Sequence, residues 1–379
     1  MRDRPAGDTV AFLTNIPNGF NEGLHDGLRS RGFEVRVRYE GLPASIGRPW
    51  ALTPRPPDRV AATLWHERDA LLAPPRGHRG VVVLGGWAHG RAVQRRVATA
   101  VTHRGRDRQV LYWGEKMNRG SRAVELGRRA FFAAPGLDGI LAIGSHAVAS
   151  YREATGGRTP VHVLPYTTDR GVEIDAERPD HPTIGFAGRL LDWKNVGVVI
   201  RAIATLAASD RPRFDVVGSG PTETSLRSLA DALGVDVRFH GEVSPDEVAT
   251  LRRSWTVTVQ PSRETDGWAL AVPESLNSGV PVVASGFVGA AIDLVRDGRN
   301  GALVASEDVD DPDAWAEVLT PWLDGTRSTS ADVKALARPF LPDRAADWFA
   351  RLVRSDPSGV ERSFVTEAWH DLADARDET

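Results

Sequence analysis

The chain is 379 residues long, 41% hydrophobic and 26% charged, with a net charge of -3 and no cysteine. That length exceeds one ordinary hydrophobic core and suits two domains of roughly 150 to 200 residues each. The composition excludes disulfides and thiolate zinc sites, no apolar run reaches the ~20 residues that span a bilayer, and the ten His form no HExxH-like cluster, so no protein-held metal is expected.

The first apolar segment, TVAFLTN (9–15), predicts a strand reached almost at once, with no signal-peptide core ahead of it, so a cytoplasmic place is expected. FEVRVRY (33–39), GVVVLGG (80–86), QVLYWGE (109–115), GILAIGS (139–145) and VHVLPYT (161–167) continue the series. Several are apolar throughout, as strands buried on both faces of a parallel sheet are. Between them RAVQRRVATAVTH (91–103) sets Val93, Val97, Ala100 and Val101 on a helical stripe opposite Arg91, Arg95 and Arg96. This βαβ rhythm predicts an α/β domain. Residues 1–180 carry 27 Lys/Arg against 19 Asp/Glu, near +8, and the remainder 20 against 31, near -11. Of the bases only Lys116, Lys194 and Lys334 are lysines, a bias expected of a GC-rich genome. The split fits an anionic acceptor or a membrane surface meeting the first half, and ordinary solvated arginine faces explain it as well.

GVEIDAERPDHP (171–182) is polar and acidic and contains Pro, so it reads as a linker. A second series follows with TIGFAGR (183–189), RFDVVGSG (213–220), VRFHGEV (237–243), TVTVQPS (256–262) and PVVASG (281–286). Ligands of open parallel sheets bind beyond the carboxyl ends of the strands, so the loops there are where chemistry is sought. In GFAGRLLDWKN, Arg189 lies just past a strand and Lys194 five residues on, with a helix expected to begin near Asn195. Two cations at a helix N-terminus suit a pyrophosphate, although such a pair is more often solvated or structural. VVGSGPTETSL lacks the GxGxxG spacing, and Gly218 to Pro221 reads as a tight turn before a helix near Glu223. DGWALAVPE (266–274) sets two carboxylates eight positions apart, off any common helix face, with small and apolar residues between; it reads as a loop running into a helix. In EDVDDPDAWAEVL, Asp311 and Pro312 read as an N-cap and a first-turn proline rather than a metal site. DRAADWFARLVRSD and ERSFVTEAWHDLADARD end the chain as two amphipathic helices.

Taken in order, GFAGRLLDWKNVGVVIRAIATL, FDVVGSGPTETSLRSLADALGVDVRFHGEV, TVQPSRETDGWALAVPESLNSGVPVVAS and AAIDLVRDGRNGALV resemble the donor half of retaining family-four glycosyltransferases, over roughly residues 183–304. The first half is similar only in pattern, through PNGF, IGSHAV and VLPYTTD. The resemblance implies an α/β chain of GT-B fold, two Rossmann-like domains with parallel sheets facing a central cleft. The acceptor domain would span 1–172, a linker 173–182, the donor domain 183–338, and the helices of 339–379 would cross back to the first domain. It also implies a nucleotide-sugar co-substrate, no cofactor and no metal, with Arg189, Lys194 and the adjacent helix N-terminus stabilising the departing diphosphate. The family places a Glu where this chain has Asp266, near a hydroxyl of the transferred sugar; the side chain here is one methylene shorter. Glu274 would hold the ribose hydroxyls. Gly188, Val243, Gly267, Trp268, Ala269, Leu270 and Ala271 would complete the donor site, the last five through backbone N–H groups. On the acceptor side the loops carrying Asn18, Gly19, Phe20, His89, Glu115 and His146 are candidates, and Trp87 and Trp113 would stack on a sugar or pack in the core.

Three readings follow. The first is transfer of a hexose or amino sugar to a small polar acceptor, in natural-product assembly such as that of an antibiotic. The second keeps the chemistry with a cell-envelope acceptor at a membrane surface. The third is a non-catalytic sugar-nucleotide binder, which the presence of Arg189, Lys194 and Glu274 disfavours. Nucleic acid is not an expected partner.

Overall fold

The apolar strands of the sequence pair in parallel and form two sheets, one of seven strands and one of six. The computed structural model describes residues 8–14, 19–39, 59–60, 80–85, 108–117, 120–133, 136–174, 180–355 and 357–377. Residues 1–167 with 340–371 form one unit, and 168–339 with 372–379 the other.

In the first unit the strands are β1 (Thr9–Thr14), β2 (Glu34–Tyr39), β3 (Arg59–Val60), β4 (Gly80–Gly85), β5 (Arg108–Gly114), β6 (Gly139–Ala142) and β7 (Val161–Val163), in the order β3-β2-β1-β4-β5-β6-β7. Alternate residues Ala11, Leu13, Val82, Leu84, Val110, Tyr112, Ile140 and Ala142 build one core layer. Their neighbours Val10, Phe12, Val81, Val83, Leu111 and Leu141 are buried as well. Both faces of the sheet are therefore covered, which is why these strands read as unbroken apolar runs. Its described helices before residue 168 are α1 (Gly19–Ser30), α2 (Arg122–Ala133) and α3 (Val148–Thr155). The helix expected over 91–103 lies outside the described residues, as do 175–179 of the expected linker.

The second unit holds β8 (Thr183–Ala187), α4 (Val196–Thr205), β9 (Arg213–Val217), α5 (Glu223–Leu233), β10 (Val237–Gly241), α6 (Pro245–Arg252), β11 (Val257–Gln260), α7 (Ala271–Asn277), β12 (Val282–Ser285), α8 (Gly289–Leu294), β13 (Gly301–Val304), α9 (Pro312–Leu323) and α10 (Ser330–Ala337). The sheet order β10-β9-β8-β11-β12-β13 reverses direction between β8 and β11, a switch point beyond whose strand ends α/β proteins place ligands. α4 is apolar on nearly every side because it is sandwiched between the sheet and α9, with Val196, Val199, Ile200 and Ile203 meeting Trp315, Leu319 and Trp322 in one core.

Apart from β2, which ends where its run does, the strands read from the sequence end one to four residues earlier than the apolar runs suggest. GILAIGS stops at Ala142 because Gly144, at φ 87, turns the chain into a 3₁₀ turn at Ser145. β3 and β13 are additions to the strands read from the sequence; β13 is short and is cued only by Gly301, whose α-hydrogen faces Val282 O where a Cβ would lie at 1.9 Å.

After α10 the chain supplies α11 (Pro342–Ser355) and α12 (Phe364–Asp377). α11 packs on α1 at two glycines: a Cβ on Gly23 would meet Pro342 at 2.7 Å and one on Gly27 would meet Ala346 at 2.6 Å. The segment between the two helices is strapped to β7. There Val163 N donates to Arg362 O at 2.9 Å, and the buried His162 accepts from Arg362 N at 3.1 Å through Nδ1 and bonds Pro357 O at 2.8 Å through Nε2.

Candidate functional site

The loops after β8, β9 and β11 converge because glycine lets two of them touch. Gly218, at φ 121, sits against Gly188 O, where a Cβ would lie at 2.0 Å, and Gly188 N donates to Val217 O at 3.0 Å. Past Gly188 the exposed Arg189 makes no ion pair among the described residues, and Asp192–Lys194 form a 3₁₀ turn. Asn195 then takes the left-handed conformation, φ 54, as the N-cap of α4. Its amide is anchored on Val309 O at 3.1 Å and Asp310 Oδ1 at 3.0 Å, so the strained residue is held from outside its own turn.

A second set of bonds ties this turn to the loop after β11. Arg263 N donates to Trp193 O at 2.9 Å, and the Arg263 guanidinium pairs with Asp192. The result is that Lys194 and Asp266, 72 positions apart, form an ion pair with side chains only 12% and 10% exposed. Ser262 Oγ donates to the same Asp266 oxygen at 3.0 Å, and Lys194 Nζ lies 4.6 Å above the Trp193 ring. Asp266 is fixed at its backbone too, its N on Phe287 O at 3.0 Å and its O receiving Gly289 N at 3.1 Å.

From Asp266 the chain climbs into α7. Trp268 is buried, and its carbonyl receives Ala290 N at 3.0 Å. Ala269 is left-handed, φ 58, and Leu270 returns to the right-handed helical region. Such a reversal turns successive N–H groups toward one concavity, the geometry of an anion nest. The N–H groups of Gly267, Trp268, Ala269 and Leu270 have no hydrogen-bond partner among the described residues. α7 is held by Ser275, whose Oγ accepts from Thr258 Oγ1 at 2.9 Å, and by Asn277, whose amide donates to Thr168 O at 2.8 Å. Glu274 is in its first turn and pairs with Arg252 Nη2 at 2.6 Å.

The structure thus brings Lys194 and Asp266 into direct contact and gives Glu274 a separate cation. The sequence offers Arg189 and Lys194 together as two cations at a helix N-terminus; of the two, Lys194 is paired with a carboxylate and Arg189 makes no ion pair among the described residues. Val243, between β10 and the capping box of Ser244 and Glu247, packs on the apolar group of Val217, Trp255 and Val280. Asp311 caps α9 by accepting Asp313 N at 3.0 Å.

In the first unit Asn18 and His89, with Trp87, lie outside the described residues, and Gly19 and Phe20 form the first turn of α1. Glu115 follows β5 with an exposed side chain, its carbonyl receiving Tyr151 Oη at 2.8 Å; His146 sits in the 3₁₀ turn after β6. Trp113 is a core residue, its indole N–H donating to Leu164 O at 2.8 Å. Further along α1, His25 is buried against Phe12, and burial, reinforced by Arg29, pushes its imidazole down to about 3, so it is neutral packing.

Sequence reading missed Arg252, Ser262 and Arg263. Arg252 alone carried a signal: it sits four positions after Val248 and three before Trp255, on the stripe that faces the interior.

Residues 181–324 match the family described as Glycosyl transferases group 1. Similar curated proteins include the D-inositol 3-phosphate glycosyltransferase of Nocardioides sp., 36% identical over 158 residues, which are 37% of this chain and 33% of that protein. The D-inositol 3-phosphate glycosyltransferase of Mycobacterium avium is 32% identical over 200 residues, 47% of this chain and 46% of that protein. The chain therefore spans a third to just under half the length of these relatives. Among solved structures it shares the fold of Anabaena HepE in complex with UDP, with a TM-score of 0.69 at 16% identity over 92% of this chain and 100% of that one. It also shares the fold of the lipopolysaccharide outer core galactosyltransferase WaaB, with a TM-score of 0.66 at 13% identity over 92% and 99%.

Proposed function

We propose that this chain, whose residues 181–324 match the group 1 glycosyl transferases and which has the GT-B fold, moves a hexose or amino sugar from a nucleotide donor to a hydroxyl of a small polar acceptor. The observation that carries the reading is that Arg189, Lys194, the left-handed turn at Ala269 and Glu274 all follow β8 and β11, the two strands flanking the switch point of the second sheet. As the bond from the anomeric carbon to the phosphate breaks, negative charge grows on the leaving diphosphate. Arg189, Lys194 and the unpartnered N–H groups of residues 267–270 supply positive potential for it without a metal. Attack by the acceptor hydroxyl on the face the nucleotide leaves, with a phosphate oxygen taking the proton, retains the anomeric configuration and needs no protein nucleophile.

UDP is the first donor nucleotide to test, since Anabaena HepE holds it. The relatives named for D-inositol 3-phosphate support a compact polyhydroxylated acceptor. A thermal-shift screen of UDP, GDP, ADP and dTDP tests the nucleotide half, because a ligand bound only by the folded state raises its stability by an amount set by concentration over affinity. No shift with any of the four overturns the reading. Hydrolysis of the matching nucleotide sugar in EDTA tests the chemistry: activity persists if the charges above suffice, and loss restored by magnesium or manganese overturns the metal-free step.

A further inference from the structure

Arg252, on the last turn of α6, is a guanidinium with 2% of its surface exposed. Taking a charge out of water is costly, and a buried ion pair stabilises a fold no better than an apolar pair of the same volume. A full positive charge in this position therefore calls for a reason other than stability. Its Nη2 gives the only hydrogen bond to the Glu274 carboxylate among the described residues, at 2.6 Å, while its Nε is buried without a partner. Glu274 is 16% exposed, so the pair reaches from the interior to the surface at one end. The helix that carries Arg252 is capped by Ser244, next to Val243, and the helix that carries Glu274 is pinned to β11 through Ser275 and Thr258. Both partners thus stand on fixed backbone, and the carboxylate cannot turn without giving up the guanidinium.

We propose that Arg252 is a positioning residue for nucleotide binding: it holds one oxygen of Glu274, so that the carboxylate presents the other in a set direction to the vicinal diol of a ribose. The proposal rests on the nucleotide reading above. A flexible carboxylate would lose rotamer freedom on meeting the diol; here that ordering is done by the fold before the ligand arrives.

The test compares binding of UDP and of 2′,3′-dideoxy-UDP to the full chain and its variants by calorimetry. The native chain should prefer UDP by about 10-fold or more, the scale of hydrogen bonds to a charged group. Glu274→Gln should bring the two affinities close together, and Arg252→Met should do the same although it touches no ligand. A merely structural Arg252 would weaken both ligands alike and leave their ratio at the native value, which overturns the proposal. If Glu274→Gln itself leaves the ratio unchanged, the ribose reading falls and Arg252 with it; if only Glu274→Gln collapses the ratio, the ribose reading stands and the Arg252 role is gone. Should Arg252→Met not fold, the double variant Arg252→Met/Glu274→Gln leaves no uncompensated charge and replaces it. Its UDP affinity should equal that of Glu274→Gln, and a further loss beyond about 3-fold shows that Arg252 acts other than through Glu274.

Discussion

The two ends of DGWALAVPE meet their cations in different ways. At Asp266 the partner is Lys194, an ammonium on a four-carbon stem in a 3₁₀ turn, 12% exposed and shared with the Trp193 ring. At Glu274 the partner is Arg252, 2% exposed in the last turn of a helix whose other end is fixed by a capping box. A lysine of the first kind can exchange one anion for another by rotating its stem; an arginine of the second kind has nowhere to go. Two carboxylates eight residues apart, alike in charge, thus differ in how firmly their cations are held, and on the function proposed above one gives up its cation while the other keeps it.

The two ends should respond differently to truncation. Glu274→Ala strands a buried guanidinium and should lower stability by about 3–5 kcal/mol, the usual cost of removing one partner of a buried pair. Asp266→Ala leaves a lysine able to reach water and should cost about 1 kcal/mol, mostly the lost charge-assisted bonds. Urea unfolding of both variants decides it, and equal losses would place the two pairs in one class.

The next largest effect is on chemistry. Lys194→Ala should reduce turnover by roughly 100-fold, as expected when a preorganised charge facing the leaving group is removed. Arg189→Ala should do the same with less change in stability, since Arg189 is exposed and makes no ion pair among the described residues. Near-native turnover in both variants removes the diphosphate assignment.

If the arriving diphosphate must take Lys194 away from Asp266, then Asp266→Asn should tighten UDP binding by about 3- to 10-fold, because a competing anion is gone. Glu274→Gln should weaken it. The same nine residues would then hold one substitution that raises and one that lowers nucleotide affinity. If Asp266→Asn binds UDP as the native chain does, the pair is not a competitor for the phosphate and the family-like place of Asp266 beside the sugar is restored.

How much of this was legible beforehand follows from which physical signals are local. The apolar strands and the helix starts at Asn195, Glu223 and Asp311 were readable because periodicity and capping are written in adjacent residues. The loop identity of 266–270 was readable for the same reason. What was not readable is pairing across distance: Lys194 reaches Asp266 only because Arg263 and Trp193 draw two loops together, and no short window of sequence contains both. Arg252 was overlooked because a charged residue on an apolar stripe is normally discounted as the stripe's edge. In the first unit Asn18 and His89 lie outside the described residues, and Trp113, which the sequence offers for stacking on a sugar as readily as for the core, is a core residue because its indole N–H finds a backbone carbonyl far along the chain.

The smallest expected effect concerns a residue between the two carboxylates. Ala269 is one of two non-glycine residues at positive φ among the described ones, at 58°. The other, Asn195, is a residue type that tolerates the left-handed region and is bonded by its amide to Val309 and Asp310. Ala269 has no such side-chain compensation, and a Cβ in this region costs roughly 1 kcal/mol. Ala269→Gly removes that strain and adds freedom to the unfolded chain, two effects of opposite sign, so the net gain in stability should be about 0.5 kcal/mol or less. Function should move the other way. The strained turn aims the N–H groups of 267–270 at one point, and a glycine there samples other directions, so UDP affinity should fall by about 2- to 5-fold while the melting temperature holds or rises. Opposite changes in melting temperature and UDP affinity, measured on one variant, mark the turn as strain kept for binding; a variant that gains in both shows that the strain does not serve binding.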